Sequence, residues 1–288
     1  MNDILEVHDI DYIYGKDTAH PCRALDHVSM NFGRGEFVGI IGHSGSGKST
    51  LLRNLNGLLT PDCGSILWNG RDIGKGKKLD GDLRKHVGLV FQYPEHQLFR
   101  NTVLRDVMFG PENLGMSKAE AESAAKDAIA MVGLDETFYE KSPLDLSGGE
   151  MRKAAIAGVL AMKPEVLILD EPTVGLDPHA RGELLQIFVN LKDRGAAVIL
   201  VSHNMDEIAE YCNRVYAMEQ GKVILAGTPE EVFKDTERMR NLHLGVPQIT
   251  GISEALGQAL KCGEITVDYD TLYRAAEQYL QEHTAPGV

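Results

Sequence analysis

The sequence predicts an α/β protein with a parallel β-sheet at its centre. Four apolar, β-branched runs have the length and continuity of strands buried on both faces, at residues 37–41, 87–91, 166–169 and 197–201. Polar residues follow each run at once. Because open α/β sheets bind ligands at the carboxyl ends of their strands, we expect these polar residues to form one site.

A helix-rich segment separates the second run from the third. Residues 92–164 contain a capped helix start at Ser117 and a second helical pattern over 150–162. We therefore expect a helical subdomain, about 93–163, inserted into a sheet domain that spans 1–240.

The end of the chain predicts a small carboxy-terminal extension, residues 241–288. Two amphipathic helices are expected there, at 252–260 and 270–281, separated by Gly263.

The composition is that of an ordinary folded protein. Of the 288 residues, 43% are hydrophobic and 25% are charged, and 29 basic against 42 acidic side chains give a net charge of −13. This charge opposes non-specific binding to nucleic acid or anionic lipid. The four cysteines, Cys22, Cys63, Cys212 and Cys262, form no CxxC pair, so neither a disulfide framework nor a zinc cluster is indicated.

Nothing in the sequence predicts a membrane-spanning helix or a secretory signal. No apolar run approaches the roughly 20 residues that a bilayer requires. Residues 1–6 are acidic and too polar for a signal peptide. We expect a chain that stays in the cytoplasm.

Residues 42–49 fit the phosphate-loop pattern G-x-x-x-x-G-K-[ST], between the strand at 37–41 and a helical run over 50–59. Glycines let successive backbone N–H groups surround phosphate oxygens, Lys48 can reach the terminal phosphates, and Ser49 can ligate Mg²⁺. The predicted ATP-binding residues of this segment are Gly42, His43, Ser44, Gly45, Ser46, Gly47, Lys48, Ser49 and Thr50.

Two adjacent carboxylates end the apolar run at 166–169. We expect Asp170 to hold Mg²⁺ and Glu171 to act as general base toward the attacking water. A solvated turn is the alternative, which the phosphate loop and the preceding apolar strand disfavour. These two motifs are common to GTPases, kinases, helicases and recombinases.

A second predicted phosphate-binding segment narrows this broad class of phosphate-loop proteins. The sequence LSGGE at 146–150 precedes a helix, so that Ser147 and the amides of Gly148 and Gly149 would lie at a helix amino terminus. LSGGE matches the signature of ABC ATPases. As in that family, it lies between the two Walker motifs, which are the phosphate loop and the strand that ends in the paired carboxylates. The resemblance implies a head-to-tail dimer in which the signature of one subunit completes the ATP site of the other.

Other positions are similar to functional residues of ABC ATPases. Gln92 matches the Q-loop glutamine, which also ligates Mg²⁺, Asp177 matches the D-loop, and His203 matches the switch histidine. Tyr14 resembles the adenine-stacking aromatic residue, although Tyr12 is close by and either could simply pack. The resemblance implies catalytic roles for Gln92 and His203 beside Glu171, and ATP contacts for Tyr14 and Asp177.

The fold that this resemblance implies is a P-loop NTPase (RecA-like) parallel sheet core with an amino-terminal antiparallel β-subdomain. The inserted subdomain would then be the ABC α-helical subdomain. Loss of the γ-phosphate on hydrolysis would reopen the dimer, and Gln92, at the hinge between the lobes, would relay the motion to a membrane partner.

Several segments resemble the ATPases of energy-coupling factor (ECF) transporters, namely residues 91–99, 102–103, 109–111, 156–162, 227–229 and 246–248. The resemblance covers nearly the whole chain. It implies a peripheral protein at the cytoplasmic face of the cell membrane, which forms a homodimer or a heterodimer with a paralogous ATPase. Its partners would be a transmembrane coupling protein and a membrane component that captures a vitamin or transition-metal ion, and the cargo would never contact this chain.

The segment 92–99 is the expected docking surface for the coupling protein, the alternative being an exposed loop with two surface aromatic residues. Glu150 stands where glutamine is commoner, and Val174 replaces a small residue. These departures leave open which of two paralogues this is. The carboxy-terminal extension is expected to contribute to dimer contact, although amphipathic helices often serve only for packing. An ATPase of another importer class and a DNA-associated ABC ATPase are the remaining alternatives, and the short, cysteine-poor insertion argues against the second.

Overall fold

The computed structural model describes residues 3–73, 83–260 and 266–283. Gly263 and Cys262 lie outside the described residues. The strands are β1 (Asp3–Tyr14), β2 (Cys22–Gly33), β3 (Phe37–Ile41), β4 (Cys63–Trp68), β5 (Arg71–Asp72), β6 (Val87–Val90), β7 (Val166–Asp170), β8 (Ala197–Val201), β9 (Arg214–Glu219) and β10 (Lys222–Gly227). The α-helices are α1 (Lys48–Leu55), α2 (Leu83–His86), α3 (Val103–Asn113), α4 (Lys118–Met131), α5 (Gly148–Leu160), α6 (Pro178–Asp193), α7 (Met205–Tyr211), α8 (Pro229–Phe233), α9 (Thr236–Asn241), α10 (Gln248–Leu260) and α11 (Tyr269–His283).

The central sheet confirms the predicted parallel core. Its six strands have the order β10-β9-β3-β8-β7-β6, and β3, β6, β7 and β8 run parallel. All four predicted strands are present. The second of them ends at Val90, one residue earlier than expected, and the third continues to Asp170.

An antiparallel sheet of order β2-β1-β4-β5 forms the expected amino-terminal β-subdomain. It packs on one face of the central sheet. Successive residues of β3 point to opposite faces, so that Val38 and Ile40 join the core under the antiparallel sheet, whereas Phe37 and Ile41 join the core under the helices. This burial on both faces explains the continuous apolar character of the strand.

The helical insertion contains α3, α4 and α5. Ser117 and Glu120 form a reciprocal capping box at the start of α4, as predicted. The predicted helix over 150–162 begins two residues earlier, because Ser147 is its cap. The helix after the phosphate loop ends at Leu55 rather than at residue 59, and Gly57 follows with a φ of 72°.

The carboxy-terminal segment folds as α10 and α11, as predicted, but α10 begins at Gln248 rather than at residue 252. The backbone N–H of Gln248 donates to Asp206 Oδ1 over 2.7 Å, which ties α10 to the start of α7. The division of the chain at residue 240 remains a prediction.

None of the helices within the described residues is long and apolar enough to span a membrane. Cys22, Cys63 and Cys212 are unpaired thiols.

Candidate nucleotide site

The sheet brings four predicted site segments to one edge. In the parallel ladders, Val201 of β8 lies beside Ile40 of β3 and beside Asp170 of β7, and Leu169 lies beside Val90 of β6. The carboxyl ends of these strands are therefore nearly level with one another along the strand direction. The phosphate loop, Gln92, the paired carboxylates and the Ser202-His203 segment all emerge at this edge.

The phosphate loop needs glycine at Gly47, which is the residue before α1. Its φ is 104°, a conformation that other residues rarely adopt, and a Cβ there would lie 2.5 Å from the carbonyl oxygen of Ala24. The loop is fixed from outside by a hydrogen bond of 3.0 Å from the N–H of Gly221 to the carbonyl oxygen of Ser46. Ser44, Gly45 and Ser49 are exposed. The arrangement presents backbone amides to solvent at a helix amino terminus, which suits an anion.

Lys48 lies across this loop. The side chain is buried, and Nζ donates to the carbonyl oxygens of Gly42 at 2.5 Å and His43 at 2.9 Å. Burial lowers the pKa of the Lys48 ammonium, while the charges of Glu171 and Asp170 oppose that shift. The lysine therefore lies in the field of both predicted carboxylates.

Asp170 is the last residue of β7, and Glu171 directly follows it. Burial raises the pKa of the Asp170 carboxyl, and the neighbouring Glu171 carboxylate raises it further. Glu171 has left the strand conformation, with a φ of 50°, and its N–H donates to the carbonyl oxygen of Val201 over 2.9 Å. This backbone conformation is costly for a residue with a side chain and is typical of functional positions.

Glu171 and His203 are in contact. The His203 Nε2 atom lies 2.8 Å from Glu171 Oε1, and half of the histidine side chain is exposed. The sequence predicted both residues as catalytic from different strand ends. The structure brings them together at hydrogen-bond distance.

Tyr14 lies beside the start of α1. Its hydroxyl is 3.3 Å from Thr50 Oγ1, and 38% of its surface is exposed. Tyr12 packs edge-on against it, with ring centroids 4.9 Å apart, and is less exposed. Of the two tyrosines, Tyr14 is thus the one with the more accessible face beside the phosphate loop.

The signature segment begins α5. Ser147 caps the helix, since its hydroxyl oxygen accepts from the Glu150 N–H at 3.4 Å. In return, Glu150 Oε2 accepts hydrogen bonds from the Ser147 N–H at 2.8 Å and from its hydroxyl at 2.7 Å. These hydrogen bonds lower the pKa of the Glu150 carboxyl. Ser147, Gly148 and Gly149 are all exposed. The amino terminus of α5 is therefore open to a ligand from outside the chain.

Two further predicted site residues, Asp177 and Gln92, lie where a helix begins and just after a strand ends. Asp177 caps α6 by accepting from the N–H groups of Ala180 and His179, which lower the pKa of its carboxyl. Gln92 is exposed and follows β6 after one residue, and Tyr93 then takes a left-handed conformation with a φ of 55°.

A buried arginine that the sequence analysis missed joins three of these segments. Arg152 of α5 donates from Nε and Nη2 to the two carboxylate oxygens of Glu95, at 3.1 and 2.8 Å. Its Nη1 donates to the carbonyl oxygens of Pro172, at 3.4 Å, and Val174. The only signal in the sequence is a basic residue within a predicted helix, and its partners are too distant in the chain to be anticipated.

A buried carboxylate was also missed. Glu207 of α7 is 4% exposed and accepts hydrogen bonds from Thr173 and Ser202. These neighbours flank the segments of Glu171 and His203. No local pattern in the sequence marks Glu207 among the acidic residues of α7.

Comparison with known proteins identifies the family. Residues 25–174 match the family described as ABC transporter. The energy-coupling factor transporter ATP-binding protein EcfA2 of Caldanaerobacter subterraneus subsp. tengcongensis is 48% identical over 253 residues, which are 88% of each chain. The EcfA2 protein of Streptococcus pyogenes is 46% identical over 255 residues, which are 88% of this chain and 91% of that protein.

Solved structures agree. CbiO1 of Clostridium perfringens, described as part of the ABC transporter complex cbiONQ, has a TM-score of 0.74 and 39% identity, and the match covers 88% of this chain and all of that one. The cassette MJ0796, a dimer in a post-hydrolysis state bound to ADP and phosphate, has a TM-score of 0.69 and 29% identity over 78% of this chain and 98% of that one. The chain is a member of the ABC transporter family and, within it, of the energy-coupling factor transporter ATP-binding proteins.

Proposed function

We propose that this chain hydrolyses ATP at composite sites of a head-to-tail dimer, with Glu171 as the general base. Family membership makes it the ATP-hydrolysing subunit of an energy-coupling factor transporter. The observation that carries the assignment of residues is the contact of 2.8 Å between Glu171 and His203 at the sheet edge where the phosphate loop begins. A general base must lie within hydrogen-bond reach of the proton that it accepts, and Glu171 lies at that edge beside the half-exposed His203.

The phosphate loop and Lys48 bind the triphosphate of ATP, and the open face of Tyr14 stacks on the adenine. Glu171 orients the attacking water and accepts its proton. His203 donates a hydrogen bond to the γ-phosphate, where negative charge develops in the transition state. Hydrolysis then removes the phosphate that both subunits hold, and the dimer reopens.

The second half of each site comes from the partner copy. Ser147 and the amides of Gly148 and Gly149 cap the γ-phosphate, because they form an exposed helix amino terminus. Asp177 contributes from the start of α6. The dimeric state of MJ0796 supports this arrangement, and the numbered name EcfA2 of the relatives supports pairing with a second, related ATPase.

The donor atoms suit Mg²⁺. The hydroxyl of Ser49, the amide oxygen of Gln92 and the carboxylate of Asp170 are hard oxygen ligands, which Mg²⁺ prefers together with water and substrate phosphates. When bound, the ion neutralises charge on the β- and γ-phosphates.

The membrane partner docks at residues 92–99 on the cytoplasmic face. An apolar groove of about 490 Å³ borders this segment and is lined by Phe91, Leu98 and Phe109 among others. Glu95 lies in the segment and is bonded to Arg152, which also holds carbonyl oxygens of the loop after Glu171. A displacement of the docked segment thus has a direct polar route to the catalytic loop. The transported vitamin or metal ion contacts the membrane subunits only.

Isolation of the membrane complex tests the transport assignment. Affinity purification of this chain, co-expressed with an ECF coupling protein and a second ECF ATPase, is expected to give a detergent-stable complex whose subunits are identified by mass. The Phe99→Asp variant, which places a charge at the docking segment, should lose the membrane subunit and keep ATP binding. Recovery of permeases of another importer class alone would contradict the assignment.

Glu171→Gln should bind ATP with unchanged affinity and lower the hydrolysis rate about 10²- to 10⁴-fold, since the amide cannot accept the proton of the attacking water. Turnover of ATP by the purified protein measures this effect. Glu136→Gln makes the same chemical change at an exposed residue outside the site and should hydrolyse normally. Undiminished turnover by the Glu171 variant would remove this residue as the base.

Lys48→Ala should weaken ATP binding roughly 10- to 100-fold, because a charge-assisted hydrogen bond to phosphate contributes about 1.5–3 kcal/mol. Isothermal titration of ATP measures the dissociation constant. Lys234→Ala, at an exposed lysine after α8, serves as the control. An unchanged dissociation constant for the Lys48 variant would contradict its role in the phosphate cradle.

Glu150 places a carboxylate beside the proposed γ-phosphate contact of Ser147. Removal of this charge should stabilise the ATP-bound dimer. In the Glu171→Gln background, Glu150→Gln is expected to tighten dimerisation about two- to fivefold, as removal of a like charge at an exposed site is worth up to about 1 kcal/mol. Sedimentation equilibrium with MgATP measures the association.

The matched control is Glu120→Gln, which alters the same position of the equivalent capping box at Ser117. It should leave dimerisation unchanged. Weaker dimerisation of the Glu150 variant would show that the carboxylate supports the signature more than it repels the nucleotide.

A further inference from the structure

Glu207 carries a carboxylate that is buried and fully engaged. Its Oε2 accepts from Thr173 Oγ1 at 3.0 Å and from Ser202 Oγ at 2.9 Å. Its Oε1 accepts from Asn204 Nδ2 at 3.3 Å, and Arg181 Nε lies 3.3 Å from the same oxygen. The arginine contact is ionic rather than a directed hydrogen bond, because Arg181 Nε has no aligned acceptor. A buried charge requires such partners to offset its desolvation.

These partners come from segments that the proposed reaction uses. Thr173 follows Glu171 by two residues, and Ser202 directly precedes His203. Arg181 lies in the first turns of α6. One carboxylate oxygen therefore holds both the loop of the base and the loop of the histidine, while the other oxygen holds the helix that begins at the D-loop.

The loop of the base needs external support. Glu171 has a φ of 50°, a backbone conformation that persists only where surrounding contacts determine it. The Glu171 N–H bonds to Val201 at the end of β8. Two polar contacts follow along this loop: the Pro172 carbonyl oxygen accepts from Arg152, and the Thr173 hydroxyl donates to Glu207.

We propose that Glu207 is a positioning residue for ATP hydrolysis. By joining the loops that carry Glu171 and His203, it fixes the position of these two side chains relative to each other. Glu207 touches neither nucleotide nor water in this role. The inference rests on the proposed function, since it assumes that Glu171 and His203 act on ATP. Loosening of the two loops by about 1 Å is enough to lower the rate up to about 10²-fold without loss of substrate binding.

The test is a separation of kcat from ATP affinity. Glu207→Gln keeps the size of the side chain but removes the charge and one acceptor, and it should lower kcat about 10- to 100-fold. The dissociation constant for ATP should stay within about twofold, because none of the contacts of the phosphate loop involves Glu207. Glu210→Gln, on the exposed side of the same helix, is the matched control and should retain wild-type kcat.

Thr173 provides a conservative pair of variants that keeps the Glu207 carboxylate and changes one of its hydrogen-bond donors. Thr173→Val is nearly isosteric and removes the hydroxyl, so it should lower kcat in the same direction as Glu207→Gln. Thr173→Ser retains the hydroxyl and should restore most of the rate. The two Thr173 variants test the positioning role of Glu207 even if Glu207→Gln fails to fold.

The outcomes distinguish this inference from the proposed function. Wild-type kcat in both Glu207→Gln and Thr173→Val, with Glu171→Gln inactive, would overturn the positioning role alone. Parallel losses of kcat, ATP affinity and thermal stability in Thr173→Val, without rescue by Thr173→Ser, would show a purely structural contact and would also overturn it. Turnover by Glu171→Gln at the wild-type rate would instead overturn the proposed base.

Discussion

The common direction of four strands is the constraint on which the site depends. A strand of five residues is about 17 Å long, so reversal of any one strand would move its loop to the far edge of the sheet. The ladders β3·β8, β8·β7 and β7·β6 are parallel and nearly level. Burial of these strands on both faces fixes their register, because a slip would carry polar end residues such as Asp170 into the core.

This dependence explains what the sequence could predict. Apolar strands and the polar residues at their ends are local patterns, and they were sufficient to place the phosphate loop, Glu171 and His203 at one edge. The start of α5 was predicted two residues late, although Ser147 and Glu150 have the spacing of a capping box. The contacts of Arg152 and Glu207 could not be predicted, because they join residues 57 and 34 positions apart.

The site must attract a triphosphate although the net charge of the whole chain is −13. Two carboxylates, Asp170 and Glu171, lie near the only buried lysine of the phosphate loop, and their fields oppose the effect of burial on its pKa. The field of Lys48 therefore cannot attract the nucleotide alone. The backbone amides at the start of α1 supply further positive potential at this point. An acidic protein can thus bind an anion through local backbone dipoles.

The loop at 172–174 is held from two sides. Arg152, on the helical insertion, donates to its backbone carbonyl groups and is itself bound to Glu95 of the segment 92–99. Glu207, on the sheet domain, accepts from the hydroxyl of its threonine. Because Glu171 directly precedes this loop in a left-handed conformation, its position depends on both contacts. A rotation of the helical insertion relative to the sheet domain would therefore stretch one of these contacts or move the loop, so the position of the Glu171 carboxylate is coupled to such a rotation through a few hydrogen bonds.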